Sequence, residues 1–312
     1  MKKTIKKRAF VSAIAMLIVS AIVLTSSTFA WFSMSKQATV EQMDLTVSSP
    51  EGIQISANAS AWTSNLTIDD LFNESSSSRY KAYDGNTNLM PLNLIPVSSA
   101  FRAFNSSTGA ANFFKAVLND SGVATVTPVS QTAGNDDEAG LVAFDLFFKV
   151  AEDTTVYFSK SEFTDTSNSD ILTALRVAFQ PLGNTTATDA ATAIALKSTS
   201  TTTPVVYEPD AINRSADAIA AGNSTGALTT NYVIATTAGG NKVNENSILS
   251  GSCQPLACTL VLSNASNTQK AFELKAGVSK MRIYIWVEGN DVDCRNSVAG
   301  AALTAALKFT ID

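Results

Sequence analysis

The feature that most constrains this chain is a series of short runs in which apolar and other residues alternate. That is the period of a half-buried β-strand, not of a helix. In residues 140–150, GLVAFDLFFKV, the residues Val142, Phe144, Leu146, Phe148 and Val150 form a wholly apolar set. They alternate with Leu141, Ala143, Asp145, Phe147 and Lys149. The apolar set is predicted to be the buried face. In residues 280–288, KMRIYIWVE, one face holds Met281, Ile283, Ile285 and Val287, and the other holds Lys280, Arg282, Tyr284, Trp286 and Glu288. Met43, Leu45 and Val47 alternate inside ATVEQMDLTVSS. Further strand-like runs lie at 52–57, 154–159, 174–179, 204–208, 232–235, 259–262, 271–274 and 305–311. Long amphipathic helices do not separate these runs, so a parallel α/β fold is disfavoured. The expectation is an all-β chain, an antiparallel β-sandwich with short helical pieces at 68–72, 110–118 and 210–221. Two stretches rich in small and hydroxyl residues, about 183–203 and 221–252, read as insertions looping out of one domain that spans 31–312.

Composition removes several function classes. The 312 residues include no histidine. A Ser-His-Asp or Cys-His nucleophile system, a His zinc ligand and an HExxH helix are therefore all excluded. The 27 acidic against 22 basic side chains leave a net charge of −5, so no nucleic-acid partner is expected. No cofactor is expected either. With 36 Ser and 34 Thr but only 16 % charged residues, the polar surface is largely hydroxyl and amide.

The first thirty residues have the order of an export signal. Five basic side chains, Lys2, Lys3, Lys6, Lys7 and Arg8, precede an uncharged apolar run over 9–24. A polar Thr-Ser-Ser-Thr segment and the small residue Ala30 follow. As a helix at ~1.5 Å per residue the apolar run reaches about 24 Å, short of the ~30 Å hydrocarbon core. Cleavage is expected between Ala30 and Trp31. The alternative is an uncleaved anchor over 9–30. A type IV pilin arrangement would also retain the apolar run, but Ala13 stands where a glutamate would be expected. The membrane is thus expected to meet this chain only through the signal segment.

Several islands resemble exported surface proteins of Gram-positive anaerobes whose signal peptides are handled by a SipW-type signal peptidase. They are SSTFAWFSMSKQATVEQMDLTV (26–47), NLIPVS (93–98), VAFDLFFKV (142–150), LRVAF (175–179), VYEPDA (206–211) and IYIWVEGNDVDC (283–294). More distantly, the signal junction and the β pattern resemble TasA and camelysin, which are biofilm-fibre-type proteins. The resemblance implies a jelly-roll sandwich displayed at the cell surface or in the matrix, with signal peptidase as a partner during export and a fibre subunit as one role. Camelysin-like proteins have been called metallo-endopeptidases. A chain without histidine gives no reason to carry that activity over.

Three constellations carry candidate chemistry. Cys253, Cys258 and Cys294 can supply one disulfide in an exported protein, and the pairing is open. Glu288, Asp291 and Asp293 place oxygen ligands on a tight loop of the kind calcium takes, although the twelve-residue EF-hand pattern is missing. The competing reading is a polar turn leaving a strand. Trp31, Phe32, Met43, Leu45 and Val47 mark the third, a mature N-terminal strand. It either packs as the first strand of its own domain or completes an open sheet edge in another copy. The expected function is an exported, non-enzymatic surface or matrix protein, with its own copies as partner. The alternatives are a monomeric adhesin or glycan-binding module and, third, a secreted hydrolase.

Overall fold

A computed structural model describes residues 42–49, 52–72, 79–83, 86–91, 94–97, 113–118, 124–129, 140–158, 163–165, 171–197, 204–216, 259–262, 269–289, 291, 293–294 and 302–311. The expected signal segment, Ala30, Trp31, Phe32, Cys253, Cys258 and residues 221–252 lie outside them.

The described chain is a two-sheet β-sandwich. The smaller sheet takes β1 (Gln42–Ser48), β3 (Asn65–Thr67), β9 (Thr154–Phe158), β10 (Phe163–Asp165), β14 (Gln269–Leu274) and β16 (Ala302–Ile311). Its order is β14-β9-β16-β1-β3, with β10 also on β16. The larger sheet takes β2 (Gln54–Ser56), β4 (Arg79–Tyr83), β5 (Asn86–Met90), β8 (Leu141–Val150), β11 (Leu175–Thr185), β12 (Val205–Glu208), β13 (Thr259–Leu262) and β15 (Gly277–Val287). Its order is β13-β12-β11-β15-β8-β5-β4, with β2 also on β8. A separate hairpin joins β6 (Phe114–Leu118) to β7 (Ala124–Pro128). Among the described strands, pairing is antiparallel except where β1 runs parallel to β16 and β12 parallel to β13.

Strand alternation builds the core between the sheets. Val142, Phe144, Leu146 and Phe148 of β8, Met281, Ile283 and Ile285 of β15, and Leu175, Val177 and Phe179 of β11 face one way. They meet Leu45, Val47, Val156, Phe158, Phe272, Leu303, Leu307 and Phe309 of the smaller sheet. Rings lock the contact. Phe158 stacks on Tyr207 at 4.6 Å between centroids, and Phe148 meets Phe309 edge-on at 5.2 Å. Each such pair adds about 0.5–1.5 kcal/mol beyond area burial.

The opposite face of the larger sheet is buried too. Leu141, Ala143, Asp145 and Phe147 of β8 are all fully buried, as are Lys280, Tyr284 and Trp286 of β15; at the edge of this face Lys149 and its β2 partner Gln54 are exposed. The covering layer is not another sheet. Phe113 at the head of the hairpin packs on Tyr284 and Trp286, at 5.6 and 5.0 Å between centroids. The Val97 amide donates to the Val287 carbonyl at 3.0 Å, and the Gly289 amide donates back to the Val97 carbonyl at 2.9 Å. Ala59, Trp62 and the short helix α3 (Ala190–Ile194) cover Phe147 and Val278. Here α1 is Ile68–Leu71 and α2 is Ile171–Ala174.

One expected helix is corrected. Residues 114–118 form β6 and not a helix, because FKAVL finds a cross-strand partner in ATVTP. In 210–216 the chain makes a 3₁₀ turn, Ala211–Asn213, whose Asn213 amide is held by the Asp210 carbonyl at 3.1 Å, and turns helical again at Ala216. Residues 217–221 lie outside the described part. Within 183–203, residues 183–185 end β11. The Asp189 carboxylate then caps α3 by accepting from the Thr192 amide at 2.8 Å, and Ala193 is buried. At the start of β15, Gly277 has φ +106°, and a Cβ there would run into the Thr185 carbonyl. Only glycine fits that approach.

Candidate functional site

The buried outer face of the larger sheet holds most of the fully buried charge of the described residues. Its strands present one apolar band, Val206, Ala178, Tyr284 and Ala143, between two polar rows. Alternation dictates this arrangement. Once the apolar residues of β11 and β15 turn inward, Arg176, Gln180, Lys280 and Arg282 must share the other face.

The first polar row gathers around Arg176. Its Nη1 donates to the Thr173 and Leu175 carbonyls, both at 2.9 Å. Its Nη2 binds Asp291 Oδ2 and lies 3.6 Å from Glu208 Oε2. Glu208, ending β12, is gripped twice by Arg214, at 2.7 Å from Nε and 2.5 Å from Nη2. Such forked pairs are the strong form of a charged hydrogen bond. Burial pushes the Asp291 carboxyl upward, against the pull of the Arg176 guanidinium. Cys294 is buried beside this cluster in the apolar core, and burial holds its thiol well above the usual range.

The three calcium candidates lie here, and each carboxylate has protein donors. Trp286 Nε1 donates to Glu288 Oε2 at 3.0 Å. Asp291 Oδ1 accepts from the Asp293 amide at 2.9 Å, and Asp293 Oδ2 accepts from the Ser215 amide at 3.0 Å. Backbone bonds from Asp291 N to the Glu288 carbonyl and from Cys294 N to the Asp291 carbonyl, both 3.0 Å, tighten the turn. Among the described residues no group of three or more acidic or cysteine side chains is placed to hold a metal ion. The geometry is that of a turn stitched to Arg176 and to residues 208–215.

The second polar row runs Gln180, Arg282, Asp145 across β11, β15 and β8. Arg282 Nη1 donates to Asp145 Oδ1 at 3.0 Å. Lys280 Nζ donates to the Ile194 carbonyl at 2.6 Å and lies 3.4 Å from Asp145 Oδ2. Burial pushes the Lys280 ammonium below its usual range, against the Asp145 charge. Neither the Gln180 amide nor Asp145 Oδ2 has a hydrogen-bond partner among the described residues. Sequence reasoning did not single out Arg176, Glu208, Arg214, Gln180 or Asp145 as a site. The available signal was Tyr284 and Trp286 on the charged face of β15, because large rings on a nominally outward face imply a second covering layer.

The N-terminal candidates divide. Leu45 and Val47 are each 1 % exposed inside the sandwich, and the Met43 backbone lies opposite Leu303. β1 lies between β16, parallel along all seven residues, and the short β3, which covers only Thr46–Ser48. Trp31, Phe32 and the expected cleavage point at Ala30 lie outside the described residues, as do Cys253 and Cys258.

The chain matches no protein-family model, no curated protein and no solved structure. Among the described residues no helix is long and apolar enough to cross a membrane.

Proposed function

We propose that this protein is an exported, non-enzymatic structural component of the cell surface or extracellular matrix, whose copies join by exchanging β1. The placement of β1 carries the reading. This strand directly follows the segment freed by signal cleavage, and its Leu45 and Val47 fill the sandwich core. Among the described residues, 42–45 pair only with β16. Withdrawing β1 would open an apolar slot along β16, which the same strand of a second copy fits by construction. The absence of histidine and the pairing of the buried carboxylates with guanidinium or amide donors support a structural role over hydrolysis.

A cysteine pair tests the exchange. Thr46 lies opposite Ala306 across the parallel β1/β16 pair. In Thr46→Cys/Ala306→Cys, β1 donated to a neighbour gives a covalent ladder of chains on a non-reducing gel. A disulfide closed only within single chains, with no filaments seen by electron microscopy, would leave β1 as its own domain's strand and end the proposal.

A further inference from the structure

We propose that Lys280 and Asp145 react with one another to form an intramolecular amide, cross-linking the two central strands of the larger sheet. The geometry around these two side chains is independent of any exchange of β1. Lys280 on β15 and Asp145 on β8 are diagonal neighbours on one face, since Lys280 lies opposite Phe147 and Arg282 opposite Asp145. Both side chains are fully buried, and Lys280 Nζ is 3.4 Å from Asp145 Oδ2. That oxygen has no hydrogen bond among the described residues, while its twin, Oδ1, is held by Arg282 at 3.0 Å. The Phe147 ring lies 5.7 Å from Nζ and helps to close the site to water. Nucleophile, carboxyl carbon and a fixed cation are therefore preassembled in a dry space. In such a space proximity favours condensation, and displaced water cannot drive hydrolysis.

The step balances without any co-reactant. The Lys280 ammonium passes a proton to Asp145 Oδ2, and the freed amine attacks the carboxyl carbon to form the new C–N bond. Negative charge developing on Oδ1 falls on the Arg282 guanidinium. The C–Oδ2 bond then breaks, and that oxygen leaves as water with two of the three original ammonium protons. The third proton stays on the amide nitrogen, and the two opposite charges cancel. Desolvation, which already disfavours the Lys280 ammonium, works in the same direction. The product closes a covalent loop from β8 to β15, so β9, β11 and the insertions between them cannot be pulled out without breaking an amide.

Intact-mass spectrometry of the full chain, unfolded in acid, tests this. The expected mass is one water below that calculated from the sequence and the observed N-terminus, with a branched peptide joining residues around 145 and 280. Lys280→Arg is expected to restore the missing water. A wild-type chain at full calculated mass would overturn the proposal. So would a water deficit that survives in Lys280→Arg. The reading is taken on denatured wild-type protein, so it stands whether or not the variant folds, and it is blind to filament formation.

Discussion

The two faces of the larger sheet are both buried, yet they are held by different physics. The inner face is a ring-packed apolar contact, Phe148, Phe158, Phe179, Phe272 and Phe309, in which every added methylene removes surface from water. The outer face buries Asp145, Arg176, Glu208, Lys280 and Glu288, and these must satisfy one another. A ring face fails gradually as volume is lost. A charged face fails abruptly when one partner goes, because the remaining charge has no water to return to. The inner face is thus the source of stability, and the outer face fixes which segments may lie on the sheet.

The largest effect should therefore come from unbalancing the outer face. Arg176→Met leaves Asp291 without its guanidinium and Glu208 with only Arg214, and is expected to cost about 4 kcal/mol in urea unfolding. Adding Asp291→Leu should recover most of that. A double variant as unstable as the single one would break the comparison. On the inner face Phe158→Ala should cost about 3–4 kcal/mol through lost burial and a residual cavity, with no partner change able to rescue it.

Titration sharpens the contrast next. Burial raises the Cys294 thiol and the Tyr207 phenol above their ordinary values of 9.0 and 10.0. A group whose folded pKa is raised gives stability that is complete below its unfolded pKa and is lost as pH rises toward the folded one. The protein should accordingly lose stability progressively above about pH 9, and Cys294→Ala should flatten the first part of that decline. A melting temperature unchanged between pH 8 and 11 would contradict both assignments. The Lys280 shift has the opposite sign. A depressed lysine favours the folded state as pH rises toward 10.5, so it offsets part of the alkaline loss in any chain whose Lys280 amine is intact.

Gln180 should respond mildly and in the unusual direction. Its amide is fully buried without a hydrogen bond among the described residues, so Gln180→Met is expected to stabilise by about 1 kcal/mol. A loss instead would mean that the amide is satisfied, for instance by internal water. Smallest of all is the surface pair Lys275–Asp153, 2.6 Å apart but with both side chains over half exposed. Lys275→Ala should melt indistinguishably from wild type, most visibly so in high salt.

Much of the sandwich was legible because alternation is a local property. The runs at 141–150 and 277–287 could bury Phe144 or Ile283 only by turning Asp145 and Arg282 the other way. The short strands β3, β4, β6, β7 and β10 carried no such signal. β6 in particular is a strand because β7 pairs with it, and FKAVL alone does not distinguish the two states. The acidic turn was legible as a cluster, Glu288, Asp291 and Asp293. Its chemistry was not, because Arg176 and Ser215 are far from it in the chain and reach it only through β11 and the turn after β12.

Residue order by itself determined the strand-rich class, the absence of histidine chemistry and which side of each long strand is greasy, since all three depend on residue type and a period of two. The tertiary structure alone decided that the other side is buried as well. A buried lysine beside an aspartate, or an arginine shared between two carboxylates, exists only once strands more than a hundred residues apart are placed side by side. Burial is a property of what covers a surface, and Phe113, Val97 and α3 arrive from parts of the chain whose own patterns do not say what they will cover.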